Sequence, residues 1–129
     1  MPLTRIAAAP GVAGPVGAFS PAVVANGFVY TSGQLPTAED GSVPEGFAAQ
    51  LDRALTNLGA VLRAAGSDLD HVVKVNGYLA DPSVLDTYNR VYREHFGAAL
   101  PARTTVCVDL WGVSLEIDCV AVVKESGDE

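Results

Sequence analysis

The segment Pro101-Ala102-Arg103-Thr104-Thr105-Val106 places an arginine at the mouth of a β-branched strand, in a chain with only eight lysines and arginines. The proline fixes the chain direction just ahead of it. The guanidinium presents a planar five-donor fork that matches a carboxylate. Further on, Leu115-Glu116-Ile117-Asp118 offers acids in alternation with apolar residues. Alternation along a strand puts Arg103, Thr105, Cys107 and Asp109 on one face, and Glu116, Asp118, Val120 and Val122 on one face of the next strand. With a symmetric four-residue connection at Trp111 to Ser114, Cys107 lies across from Asp118. The same register sets Asp109 against Glu116, an unfavourable like-charge pair. Arg103 and Asp118 then border one surface near Thr105. An arginine holding an anion beside a carboxylate that handles a proton or a water is a minimal hydrolytic site. The pair can equally neutralise one another, or Asp118 can cap a local amide, and spacing alone leaves these open. One carboxylate supplies no pair for glycosidase chemistry.

Other polar residues carry weaker signals. His71 begins a strand and His95 ends a helix, neither with a nucleophile or acid at suggestive spacing, so structural or solvated roles are expected. Asn89 lies inside a helix, where asparagine is a poor former, which hints that its amide serves something outside. Gly33 permits close backbone approach and its N–H could meet an anion. There is no phosphate loop, dinucleotide fingerprint or metal-ligand cluster in the sequence. A site with no cofactor and no metal is expected.

These residues need elements to position them. Val23-Val24-Ala25 and Phe28 to Thr31 flank Asn26-Gly27, the dipeptide suited to a type I′ hairpin turn. Residues Pro10 to Pro21, rich in glycine, alanine and proline, read as an ordered loop or edge segment. Ser42-Val43-Pro44-Glu45 reads as a capping box. Phe47, Leu51, Leu55, Leu58, Leu62 and Ala65 then form a helical apolar stripe, closed by Gly66. His71 to Leu79 is a predicted strand, with Val73, Val75 and Leu79 on one face and Val72, Lys74, Asn76 and Tyr78 on the other. Asp81-Pro82 opens a second helix, with Leu85, Tyr88, Tyr92 and Phe96 on its buried side and Gly97 at its end. Thr104 to Leu110 and Leu115 to Val123 complete the set as a closing hairpin. The order predicts an α+β sheet with both helices packed on one face. The strands stay apolar in both phases, so the other face is expected to meet another subunit in an oligomer.

The bulk numbers agree. A chain of 129 residues, 49% apolar and 18% charged, suits one globular domain over residues 1–129, with 1–9 and 125–129 expected to be flexible. A net charge of −7 with no lysine or arginine cluster argues against nucleic acid as a partner. No apolar run approaches the length of a membrane span. Pro10, Gly11, Gly14 and Pro15 break any signal-peptide core after Arg5, which leaves the cytoplasm as the expected location. Cys107 and Cys119 are too few for a disulfide framework or a zinc site. Their phases suggest opposite faces of neighbouring strands, as reduced, buried thiols.

Gly14-Pro15, Tyr30-Thr31-Ser32-Gly33-Gln34, Pro101-Ala102-Arg103 and Leu115-Glu116-Ile117-Asp118 fall in the order and spacing of the RidA/YjgF family, which the chain resembles over about residues 10 to 124. The resemblance implies a chorismate-mutase-like fold assembled as a homotrimer, with ligand clefts between subunits. It also implies hydrolysis of reactive enamines and imines, such as 2-aminoacrylate, to a keto acid and ammonia. Some relatives are instead credited with ribonuclease or translation-inhibiting activity, and a non-catalytic binder of small carboxylates is a further alternative. By resemblance, Arg103 holds the substrate carboxylate, Ser32 and Gly33 form the loop beside it, and Asn89 lies near the cleft. Three positions depart from the family pattern. Val16 replaces a tyrosine, Thr105 replaces a cysteine and Asp118 replaces a glutamate held to position water. On this carry-over Asp118 orients the water and Thr105 steadies it.

Overall fold

The computed structural model describes residues 2–125. Thr4–Ile6, within the stretch expected to be flexible, forms a short edge strand (β1) antiparallel to β2 (Ala22–Ala25). The acidic tail beyond residue 125 lies outside the described residues. Asn26 and Gly27 take φ of 53° and 82°, as a type I′ turn demands, and return the chain as β3 (Phe28–Thr31) with Ala25 opposite Phe28.

Helix α1 (Phe47–Ala64) starts later than the expected capping box. Ser42 instead closes an Asx turn: its N–H and its hydroxyl both donate to Asp40 Oδ1, at 2.9 and 2.6 Å. The helix begins after Gly46, whose φ of 86° no helical residue adopts. Its other end follows the sequence. Gly66 N–H donates to the Arg63 carbonyl at 3.1 Å and Ser67 N–H to the Leu62 carbonyl at 2.8 Å, a Schellman closure around a left-handed glycine.

A 3-10 turn at Leu69–His71 leads into β4 (Val72–Leu79). A bulge between Val72 and Lys74 reverses the expected phase at its start. Val72 is buried and Val73 is 44% exposed, the opposite of the alternation read from the sequence. Asp81 Oδ1 then accepts the Ser83 N–H at 2.9 Å, and a 3-10 turn at Pro82–Val84 runs into α2 (Leu85–Phe96). Tyr88, Tyr92 and Phe96 are buried as expected. Leu85, in the first turn, is exposed, and Val91, three residues after Tyr88, joins the buried side.

The last two strands, β5 (Ala102–Cys107) and β6 (Leu115–Val122), do not form the expected hairpin. β5 ends at Cys107, and residues 108–114 cross the end of β4, where Val108 N–H donates to the Leu79 carbonyl and Ala80 N–H to that of Ser114. β6 therefore inserts between β3 and β4. The six-stranded sheet has the order β1-β2-β3-β6-β4-β5, with β4 and β5 parallel and every other pair antiparallel.

Both helices cover one face, as expected. Val29, Val75, Leu79, Leu115, Ile117, Cys119 and Ala121 from the sheet meet Leu51, Leu55, Leu58, Leu62, Tyr88 and Phe96 in one core. The other face is open. It carries Phe28 and Tyr30 opposite Val122 and Val120, with a polar centre at Asn76, Tyr78, Glu116 and Asp118. Among the described residues no helix is long and apolar enough to cross a membrane.

Candidate functional site

Arg103 sits second on β5 and pairs in register with Val75 of β4, a residue fully buried beneath the helices. Its side chain therefore rises on the helix-covered face, at the outer edge of the sheet. There it meets α2. The guanidinium carbon lies 5.0 Å from the centroid of the Tyr88 ring and 4.8 Å from that of Tyr92. Among the described residues no carboxylate lies within ion-pair distance of Arg103. The group borders a cavity of about 200 Å3 that it shares with Asn89, Tyr92, Arg93, Leu100 and Pro101. The hint that Asn89 serves something outside its helix thus acquires a location.

Thr105 follows on the same face, opposite Gly77, with its hydroxyl buried beside that of Tyr88. Gly77 explains how Tyr88 fits. A Cβ at position 77 would fall 2.1 Å from the Tyr88 hydroxyl oxygen and 3.0 Å from the ring carbon bearing it. Gly77→Ala is therefore expected to cost about 1–3 kcal/mol, the range for overpacking a core, because the buried ring has no room to retreat. The readout is the denaturant midpoint at unchanged slope. A wild-type midpoint would mean that the ring yields freely.

A second group of residues gathers around Gly33. Gln34 and Ile117 exchange backbone hydrogen bonds, at 2.7 and 3.2 Å, and these press the Ser32-Gly33 corner against β6. Ser32 donates its hydroxyl to the Ser20 carbonyl at 2.5 Å and its N–H to the Pro21 carbonyl at 2.9 Å, so it pins the Pro10–Pro21 loop. That loop brings Val16, 77% exposed, to a small apolar cavity of about 60 Å3 shared with Gly14, Pro15, Phe19 and Gly33.

The acid at this corner is Glu116. A Cβ on Gly33 would stand 2.5 Å from the Glu116 carboxyl carbon and 2.7 Å from Oε1, so the carboxyl lies against the bare glycine backbone. Burial, reinforced by the negative charge of Asp118, raises the pKa of Glu116 above the usual carboxylate range. Asp118 is the next acid on the same face. It accepts a hydrogen bond from Asn76 Nδ2 at 2.9 Å. Burial and the neighbouring Asp118 push the Tyr78 hydroxyl upward.

The expected pairing of Arg103 with Asp118 across a hairpin is therefore overturned. β4 lies between their strands, and Asp118 pairs with Asn76 on the open face while Arg103 rises on the other. The expected contacts of Cys107 with Asp118 and of Asp109 with Glu116 vanish for the same reason. Cys107 and Cys119 share the helix-covered side and do not occupy opposite faces. Cys107 is exposed, and burial pushes the Cys119 thiol up to about 12. The histidines make structural ties. His71 Nδ1 meets Asp68 at 2.6 Å, and His95 Nε2 joins the helices through Asp52 at 2.8 Å. Glu116 was visible in the sequence only as one of two acids in phase, because choosing between them requires knowing where Gly33 lands.

One chain thus presents two half-sites on opposite faces: a cation with Asn89 and Thr105, and a carboxyl with Ser32, Gly33 and Val16. The first can grip an anion and the second can move a proton.

A family model described as Endoribonuclease L-PSP matches residues 8–123. Protein mmf1, mitochondrial, of Schizosaccharomyces pombe is 42% identical over 112 residues, spanning 82% of this chain and 68% of that protein. The 2-iminobutanoate/2-iminopropanoate deaminase of Bos taurus is 40% identical over 111 residues, spanning 83% of this chain and 81% of that protein. Among solved structures, RidA from the Antarctic bacterium Psychrobacter sp. superposes with a TM-score of 0.88 at 31% identity, covering 93% of this chain and 100% of that one.

Proposed function

We propose, from the premise that this chain belongs to the Endoribonuclease L-PSP family, the RidA/YjgF family, that it hydrolyses small carboxylated enamines and imines to 2-oxo acids and ammonia. The observation that carries the proposal is Arg103, a guanidinium with no acid partner among the described residues, open to a cavity and able to take a carboxylate bidentately. The reaction class comes from the relatives, several of which are named 2-iminobutanoate/2-iminopropanoate deaminase.

In this reading an enamine such as 2-aminoacrylate tautomerises to its imine while Arg103 holds the carboxylate. Glu116 removes a proton from water as the water oxygen bonds to the imine carbon, and passes that proton to the nitrogen. The product is a neutral carbinolamine. The hydroxyl proton then travels through Glu116 to the amine, the C–N bond breaks, and ammonia leaves behind a carbonyl. One imine and one water become one 2-oxo acid and one ammonia. A carboxyl with a raised pKa suits both transfers. Asp118 acts through Glu116 by keeping it protonatable, Thr105 and Asn89 offer polar contacts beside Arg103, and Val16 gives the pocket an apolar wall. The water-handling role thus moves from Asp118 to Glu116.

Because one chain sets Arg103 and Glu116 on opposite faces, the reading requires a second copy. We take the assembly to be a chorismate-mutase-like homotrimer, in which the Arg103 half of one protomer closes on the Gly33–Glu116 half of the next. The apolar side chains of Phe28, Tyr30 and Val106 on the open face favour such burial. The reading places the protein in the cytoplasm, in keeping with its two free thiols. A ribonuclease role is disfavoured by a net charge of −7 and the absence of clustered cations.

The test couples an amino-acid oxidase that generates 2-iminobutanoate to this protein, with semicarbazide as a competing trap. The expected result is less semicarbazone and faster ammonia release. No acceleration with any of several 2-imino acids would overturn the proposal. Calorimetric binding of 2-oxobutanoate without turnover would reassign the chain as a binding protein for small carboxylates.

A further inference from the structure

Arginines that recognise anions are commonly oriented by a neighbouring acid, which also cancels part of their charge and occupies some of their donors. Arg103 is oriented differently. Tyr88 and Tyr92 lie one turn apart on α2, nearly or fully buried, with ring centroids 5.7 Å apart and planes inclined at 46°. The Arg103 guanidinium carbon sits over both rings, 5.0 and 4.8 Å from their centroids. An aromatic face attracts a cation through its quadrupole and accepts none of its N–H bonds in the ordinary sense. The positive charge and the five-donor fork both remain available.

We infer that Tyr88 and Tyr92 are positioning residues: their ring faces form a charge-sparing clamp that aims the Arg103 guanidinium at the substrate carboxylate. The inference rests on the reading of Arg103 as the carboxylate anchor. The rings are themselves held. Phe96 packs against Tyr92 at a centroid distance of 4.5 Å, and Tyr88 rests over Gly77, where any side chain would collide with it. The Tyr92 hydroxyl has no hydrogen-bond partner among the described residues, and the Tyr88 hydroxyl faces that of Thr105 and not the guanidinium, so the phenol oxygens do not hold Arg103. Burial raises both hydroxyls above their usual pKa, so neither ring becomes a phenolate opposite the arginine near neutral pH. The faces alone should suffice.

The test compares wild type with Tyr92→Phe, Tyr88→Phe and Tyr92→Leu in the full chain. The measurements are the arginine Nε–Hε NMR spectrum, calorimetric binding of 2-oxobutanoate, and KM and kcat for 2-iminobutanoate. The Arg103 signal is assigned by its loss in Arg103→Ala. In wild type it is expected to be displaced by ring currents. Both phenylalanine variants should keep that displacement and bind within about twofold of wild type. Tyr92→Leu should move the signal toward its free position and weaken binding and KM about three- to tenfold, the scale of a partly exposed cation–π contact, with kcat nearly unchanged. A folded Tyr92→Leu with wild-type binding and KM would overturn the clamp, as would phenylalanine variants that lose as much as leucine. Should Tyr92→Leu fail to fold, an Arg103 signal without ring-current displacement in wild type overturns the inference, and a displaced one retained in both phenylalanine variants supports it. Displaced signals with no keto-acid binding at all would sink the anchor reading and spare the clamp. Binding that needs Arg103 but ignores Tyr92→Leu would do the reverse.

Discussion

Arg103→Ala is expected to lower kcat/KM toward 2-iminobutanoate by about 10²- to 10³-fold. A carboxylate held by a guanidinium makes two charge-assisted hydrogen bonds, each contributing about 1.5–3 kcal/mol. Losing both removes roughly 3–6 kcal/mol of interaction, part of which water in the vacated space returns, and each 1.36 kcal/mol is a factor of ten. The loss should fall mainly on KM, because the carboxylate is bound alike in ground and transition states. The same variant should release 2-oxobutanoate in calorimetry. Arg103→Lys should recover only part of the affinity, since an ammonium cannot reproduce the planar fork or its seat against two rings. A kcat/KM within threefold of wild type for Arg103→Ala would remove the anchor from the mechanism.

Glu116→Gln should fall on the other parameter, with kcat down about 10²-fold, the lower end of what proton handling by a placed side chain contributes. Asp118→Asn should cost far less, because that acid touches Asn76 and not the glycine corner. The pH profile carries the same signature. Burial and the charge of Asp118 raise Glu116, so the acid limb of kcat/KM should lie above the usual carboxylate range, and Asp118→Asn should shift it downward. Stability follows with a definite sign. A carboxyl whose folded pKa exceeds its unfolded value binds its proton more tightly in the native state. Stability is then lost as pH rises from the ordinary glutamate range through the raised value. Glutamine has no such loss, so at neutral pH Glu116→Gln should melt no lower than wild type. A variant with full kcat would return the water-handling role to Asp118 or to no side chain at all.

How much of this was legible from residues alone depended on how local the cause was. Asn26-Gly27, Gly66 and Asp81-Pro82 each act within a few positions of the chain, and each does what its chemistry requires. Ser42 failed as a helix cap for an equally local reason, since Asp40 sits two residues away and competes for it. The errors of consequence were non-local. No periodicity announces that β5 joins β4 in parallel, or that β6 threads between β3 and β4. Alternation gives the face of Asp118 but not its partner, which is Asn76 of β4. The bulge at Val73 shows the same limit on a smaller scale, because one inserted residue inverts a phase that the composition of the strand leaves ambiguous. Arg103, Asn89 and the Ser32-Gly33 corner were identified as residues of interest, and their division between two faces emerged only with the pairing.

The outermost position of β5 has one more implication. Among the described residues this strand is fastened by a single ladder, to β4, while its other margin has no strand beside it. Border segments of a sheet loosen at a fraction of the free energy needed to open the interior. Warming should slacken the grip on an anion well before the domain melts, unless a neighbouring polypeptide buttresses that margin.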